Sequence, residues 1–312
     1  MRFMFHLFNS LAEETWFKLE RSSRSPTTFG ENSITDHNLF AVYQHAPRIR
    51  LRHYNQNEEA TVGADWEWWI GNVVDGWIVL RIQAKRVRDR SYPELAHAAL
   101  DDTFQYDTLI ASCDREGGEQ HSTYPLMVFY NGWGGSLFGT GDRWPHDAVW
   151  RACRHGQTQP HCACATVQQY GCAVASARSI KRVHEHSGRD RLTRRVAPHL
   201  SESQPWSYLW QAPHVPAGTA ASAHMPEWQW CLQGALVDLS EPSNPDVDDW
   251  PRAPADESRR LRQDLPGWAR ALLGPYPGDE IDRALAIEPL DARIGMVVEV
   301  GQDVDDLADG TG

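Results

Sequence analysis

Residues 63–70 read Gly-Ala-Asp-Trp-Glu-Trp-Trp-Ile, and residues 76–86 read Gly-Trp-Ile-Val-Leu-Arg-Ile-Gln-Ala-Lys-Arg. Both runs are aromatic or β-branched, and the connector Gly71-Asn72-Val73-Val74-Asp75-Gly76 is punctuated by Gly and Asp. That pattern predicts two strands, Ala64 to Ile70 and Trp77 to Lys85, joined as a hairpin. Side chains alternate along a strand, so Gln83 and Lys85 leave one face about 7 Å apart, while Ile82 and Ala84 face the other way. The same alternation puts Asp65 and Glu67 on one face of the first strand and Trp66 and Trp68 on the opposite one. Once the strands pair, an Asp, a Glu, a Gln and a Lys converge on one patch.

Working outward from the hairpin, Phe5, Phe8, Ala12, Trp16 and Leu19 recur at helical steps and predict an amphipathic helix over Phe5 to Leu19. A loop from Arg21 to Gly30 ends it, and a second helix begins at Glu31, with Ile34, Leu39, Val42 and Tyr43 as its apolar stripe, until Pro47 stops it. Downstream, a loop at Ser91-Tyr92-Pro93 leads to a helix through Phe104, Leu109 and Ile110, and Pro125 to Tyr130 reads as a buried strand. The order is α/β, with a mixed sheet of four or five strands flanked by helices. Beyond Asn131 the pattern weakens into a Gly-rich loop from Gly132 to Gly141, a Cys- and His-rich stretch from Cys153 to Cys172 and a basic run from Arg178 to Arg195. A Pro- and Asp-rich connection from Glu241 to Glu257 precedes a helix at Trp268 to Leu273 and a strand at Ile294 to Val300. Three segments result: a core over 1–150, a Cys/His- and Arg-containing extension over 151–240, and an acidic linker and tail over 241–312.

The converging residues have a chemical use. A carboxylate and an amide oxygen are hard donors suited to Mg²⁺, and a Lys supplies a charge that orients a water or stabilises a phosphorane-like transition state. Here the sequence resembles the restriction endonuclease-like superfamily of PD-(D/E)XK nucleases. That family carries an acidic residue on the first strand of a hairpin, a (Glu or Gln)-x-Lys on the next, and a Glu on an upstream helix. The matching residues are Asp65 and Gln83-Ala84-Lys85-Arg86, and the Gln is similar to the Mrr-type QxK branch. Glu31 is the candidate for the helix Glu, with Glu58 and Glu59 competing. The helix bearing Gln105 and the strand ending Phe129-Tyr130-Asn131 suit the helix and strand downstream of the motif in such cores, and the resemblance covers residues 28–131. Uncharacterised bacterial proteins of predicted nuclease type have similar segments.

The resemblance implies a restriction endonuclease-like core with an irregular C-terminal extension, and a Mg²⁺- or Mn²⁺-dependent deoxyribonuclease acting in bacterial defence against foreign DNA. It implies Asp65 and Gln83 as metal ligands assisted by the Ala84 carbonyl, Lys85 as the residue that positions or polarises the attacking water, and Glu31 as an aid in ordering metal-bound water. DNA is the expected partner, with Arg81, Arg86, Arg88 and Gln105 as contacts, and a homodimer or a protein partner is compatible with the fold. The alternative is an inactive module of the same fold that binds nucleic acid or a protein, since Gln in place of an acidic ligand removes a negative charge. Without the motif's context, Asp65 would cap a turn, Gln83 would hydrogen-bond at a strand edge and Lys85 would be a solvated charge.

Composition bounds these readings. The 312 residues are 41% hydrophobic and 23% charged, ordinary globular values that exclude a collagen-like or disulfide mini-scaffold chain. The net charge of −12 is concentrated late: residues 241–312 hold 17 acidic side chains against seven Arg, which leaves −2 for residues 1–240. A nearly neutral body retains room for local basic surfaces. No stretch reaches the length of a membrane span, and the short apolar run Phe3 to Phe8, broken by His6, is unlike a secretory signal, so a cytoplasmic location is expected.

Weaker signals remain. Cys153, His155, His161, Cys162, Cys164 and Cys172 could supply a tetrahedral Zn²⁺ site, although the spacings do not match paired CxxC knuckles and Cys172 sits in a small apolar run typical of a core. The basic run with Arg178, Lys181, Arg182, Arg189, Arg191, Arg194 and Arg195 reads first as a solvated face, and Trp133 could stack on a base. The Gly-rich loop lacks the Gly-Lys-Ser/Thr ending of a phosphate-binding loop.

Overall fold

The computed structural model describes residues 2–23, 25, 28–45, 49–53, 63–88, 91–96, 104–117, 123–132, 167–186, 196–211, 227–240 and 294–299. Helices α1 (Arg2–Ser22) and α2 (Glu31–His45) precede β1 (Ile49–His53) and the hairpin of β2 (Trp66–Asn72) and β3 (Gly76–Arg86). A 3-10 turn (Pro93–Ala96), α3 (Gln105–Gly117) and β4 (Thr123–Tyr130) come next. A second turn (Val167–Gly171) leads into β5 (Cys172–Ser176), α4 (Ala177–His186) and α5 (Val196–Ser201). The chain continues through β6 (Gln204–Pro205), a third 3-10 turn (Trp206–Trp210), α6 (Glu227–Ser240) and β7 (Ile294–Glu299).

The strands form one mixed sheet in the order β1-β7-β2-β3-β4-β5-β6. The expected sheet is found in β2 to β6, and β7 and β1 widen it beyond β2. β2 pairs antiparallel with β3 and parallel with β7, and β3 pairs parallel with β4. The α/β class is therefore as the sequence implies, and described parts of the C-terminal half add strands to the sheet. Residues 172–176, 204–205 and 294–299 are strands of the same sheet, so composition divides the chain where the sheet does not. The helix expected at Trp268 to Leu273 lies outside the described residues.

Register sorts the two sheet faces. Trp66 stands beside Ile82, Ile82 beside Leu126, and Tyr130 beside Arg86 and Cys172, so these share one face. Helices α1 and α2 cover it: Phe8 meets Trp68 edge-on at 5.6 Å, and Trp68 stacks on Trp206 at 5.3 Å. On the opposite face Glu67 stands beside Arg81, Gln83 beside Met127, and Lys85 beside Phe129. Tyr92 and His199 cover Phe129 there, with ring centroids at 4.6 and 5.8 Å. Every residue of β3 from Gly76 to Lys85 is buried, which is why the strand reads as a nearly continuous apolar run interrupted by three polar side chains. Among the described residues, no helix is long and apolar enough to cross a membrane.

Close approach of α1 to the entry of β5 is set by a missing side chain: a Cβ at Gly171 would stand 1.9 Å from the Ala12 carbonyl oxygen. Gly171→Ala is expected to destabilise by about 1–3 kcal/mol through overpacking. Gly234 in α6 has nothing within 4 Å of the same added atom, so Gly234→Ala should stabilise by about 0.5–1 kcal/mol from backbone entropy. Thermal melts of the two variants check both signs.

Candidate active site

The site forms where β2 has ended and β3 continues. The amide of Asp65 donates to the Ile82 carbonyl at 2.8 Å, closing the hairpin's last rung, and β3 then runs four more residues to Arg86. Backbone groups in a strand alternate in direction, so the amides of Ala84 and Arg86 point to the side that β2 has vacated. Two carboxylates replace the missing strand. Asp65 Oδ2 accepts from the Ala84 amide at 2.6 Å, and Glu31 Oε2 accepts from the Arg86 amide at 2.8 Å. The acceptors sit at alternate residues, about 7 Å apart along the strand, with Lys85 between them.

Local sequence explains both placements. Gly63 adopts φ +74, a region that side chains disfavour, and a Cβ there would meet the Gln105 carbonyl and the Leu109 amide at 3.0 Å. The turn into Asp65 thus lies directly against the first turn of α3. Glu31 opens α2, where a negative charge suits the positive end of the helix dipole. The segment before it is held as well, because the Arg86 guanidinium donates to the Phe29 carbonyl.

Gln83 and Lys85 share the opposite face of β3 and are 2% and 4% exposed. Among the described residues, Gln83 Oε1 is buried without a hydrogen-bond partner. An unpaired buried acceptor costs about 1–3 kcal/mol and calls for an explanation. An amide oxygen is a hard donor, as are the carboxylates of Asp65 and Glu31, so these side chains fit Mg²⁺ or Mn²⁺ by donor type. Among the described residues, no three His, Cys, Asp or Glu side chains group as a metal cluster.

The structure brings Glu31, Asp65 and Lys85 to one strand end and corrects other expectations. Glu67 does not join the patch: its carboxylate takes Arg81 Nε at 2.8 Å and Trp69 Nε1 at 2.6 Å. Arg81 is correspondingly no surface contact for a nucleic acid, since it is 3% exposed and committed to that ion pair. Alternation gives its face correctly but not whether that face is covered. Arg86 is half-buried and engaged with Phe29, whereas Arg88 and Gln105 are exposed. Glu58 and Glu59 lie outside the described residues.

Sequence reasoning missed Tyr130 and Thr35. Their hydroxyls are 2.9 Å apart, and Thr35 Oγ1 also reaches the Glu31 carbonyl at 3.0 Å. Burial above all pushes the Tyr130 phenol well up, with the charges of Cys172, Glu31 and Asp65 adding to it, so it remains a proton donor at every physiological pH. The available signal was a polar tip on an otherwise apolar strand. Elsewhere the basic run resolves into structural pairs: Lys181 bonds Asp107 at 2.7 Å, Arg178 pairs with Asp114, and Arg182 reaches Ser179 and the Ser240 carbonyl. Cys172 is a core residue whose thiol burial pushes up to about 12, and it contacts Thr15 and Asn38. Trp133, Arg189 to Arg195 and the remaining Cys and His of the expected zinc cluster lie outside the described residues.

Fold and site together define an α/β protein with a mixed sheet, in which two carboxylates cap alternate amides at the end of a central strand. The chain belongs to a family of unknown function, DUF6615, whose profile matches residues 4–298. No curated protein matches it.

The buried Glu67–Arg81 pair yields a prediction. Removing one partner leaves the other charge buried alone, so Arg81→Met is expected to cost about 3–5 kcal/mol, and Glu67→Gln with Arg81→Met should recover part of that loss. Denaturant unfolding of the single and double variants measures the difference.

Proposed function

We propose that this protein is a metal-dependent nuclease that hydrolyses DNA phosphodiester bonds at the cluster of Glu31, Asp65, Gln83 and Lys85. The observation that carries the reading is the strand end itself. Two carboxylates from separate elements meet alternate amides of β3 on either side of Lys85, and among the described residues the Gln83 carbonyl oxygen is buried without a partner. In this reading Asp65 and Gln83, with the Ala84 carbonyl, hold Mg²⁺ or Mn²⁺, and the ion supplies Lewis acidity to a bound phosphate. Lys85 holds and polarises the attacking water, and Glu31 orders a second water. Arg88, beyond the end of β3, is exposed and serves as a phosphate contact in this reading. Defence against foreign DNA is part of the same proposal.

A specific observation also favours a second reading, in which the same fold binds nucleic acid or a protein without cutting. Both carboxylates already accept backbone amides, and Gln83 and Lys85 are almost wholly buried. One experiment separates the two: cleavage of plasmid, linear duplex, single-stranded DNA and RNA in Mg²⁺ and in Mn²⁺, beside Lys85→Ala and Asp65→Asn. The nuclease reading expects metal-dependent cutting reduced about 10²- to 10⁴-fold in both variants. Equal cutting by variants and parent overturns it. Retardation of a substrate in a gel without cutting supports the binding module.

A further inference from the structure

One rung of the sheet holds helix α2. Arg86, Tyr130 and Cys172 stand side by side across β3, β4 and β5, on the face that α2 covers. Each contacts a successive turn of the helix. The Arg86 amide meets Glu31, the Tyr130 phenol meets Thr35, and the Cys172 sulfur meets Asn38 Nδ2 at 3.5 Å. Glu31, Thr35 and Asn38 are spaced at i, i+4 and i+7, so they form one polar stripe along α2, and Thr35 and Asn38 are 2% and 0% exposed.

The directions of the hydrogen bonds are set by the donors available. Thr35 commits its single hydroxyl proton to the Glu31 carbonyl, so the contact with Tyr130 must have the phenol as donor. A chain therefore runs from the Tyr130 hydroxyl through Thr35 to the backbone of Glu31, while the Glu31 side chain returns to Arg86 on the same rung. We propose that Tyr130 and Thr35 are positioning residues that seat the first turn of α2 on this rung and thereby fix the Glu31 carboxylate beside Lys85. Asp65 reaches its own amide from the β2 side and does not use this route. The consequence for catalysis rests on the nuclease reading; the seating of Glu31 does not.

The test compares hydrogen exchange at the Arg86 and Ala84 amides in the parent chain, Tyr130→Phe, Thr35→Val and Thr35→Ser. Loss of one buried hydrogen bond in the chain should speed Arg86 exchange about three- to tenfold, with Ala84 unchanged and Thr35→Ser near the parent. Equal acceleration of both amides, or of neither, overturns the proposal, because a merely structural role would loosen the two caps together. Mn²⁺ binding, followed by electron paramagnetic resonance on the same proteins, should weaken several-fold in Tyr130→Phe and Thr35→Val and be retained in Thr35→Ser. A parent chain that binds no Mn²⁺ overturns the metal-dependent reading, while the exchange rates still decide the seating of Glu31.

Discussion

Two backbone amides at the end of β3 organise this protein. Ala84 and Arg86 lie beyond the first residue of β2, and Ala84 is fully buried. A buried amide without an acceptor is costly, so the fold must deliver acceptors to that spot. Asp65 and Glu31 do so from opposite directions, one from the turn that begins β2 and one from the first turn of α2. The approach of α3 to Gly63 and the polar stripe of α2 are both means of bringing a carboxylate to a strand end. In the proposed reading, capping and chemistry draw on the same two side chains, since a carboxylate oxygen can accept more than one partner.

The sheet face behind that strand end carries an unusual load for a buried surface. Glu67, Arg81, Gln83 and Lys85 occupy neighbouring positions on β2 and β3, and none is more than 4% exposed. The first two neutralise each other, with the Trp69 indole satisfying the remaining carboxylate oxygen. Buried ion pairs of this kind add little net stability against apolar residues of similar size, yet they penalise any register that separates the charges. A slip of β2 against β3 by one residue would strand Glu67 beneath the wrong face, so the pair fixes the register that sets Asp65 opposite the end of β3.

Much of this is legible before any coordinates are known, because it depends on local periodicity. The alternation of residues 64–70 and 77–85 gives the hairpin and puts Gln83 and Lys85 on one face, as the register bears out. Glu31 is legible as the opening residue of a helix. What is not legible is long-range. β5 is five small residues, Cys172–Ser176, too short to tell from a buried helix segment, and β7 enters beside β2 from more than two hundred residues away. Arg81 shows the same limit from the other side: period two fixes its face, while only the packed structure reveals that Glu67 claims it. The stripe of Glu31, Thr35 and Asn38 is visible at helical spacing, but its meaning lies in Arg86, Tyr130 and Cys172, residues brought together only by strand pairing.

Gln83 is the residue on which the charge at the strand end turns. Asp65 and Glu31 bring two negative charges and Lys85 one positive charge, so the set carries a net −1 when both acids are ionised. A divalent cation held there, as in the proposed reaction, makes the sum +1, which complements the single negative charge of a phosphodiester. Glutamate at position 83 would bring that sum to zero and would add a third carboxylate to a buried face, at a cost in desolvation. An amide offers the same hard oxygen without the charge. Among the described residues its Oε1 is unpaired, a cost that coordination of a cation would offset. The substitution that looks like a weakened metal ligand is therefore consistent with a site balanced for an anionic diester.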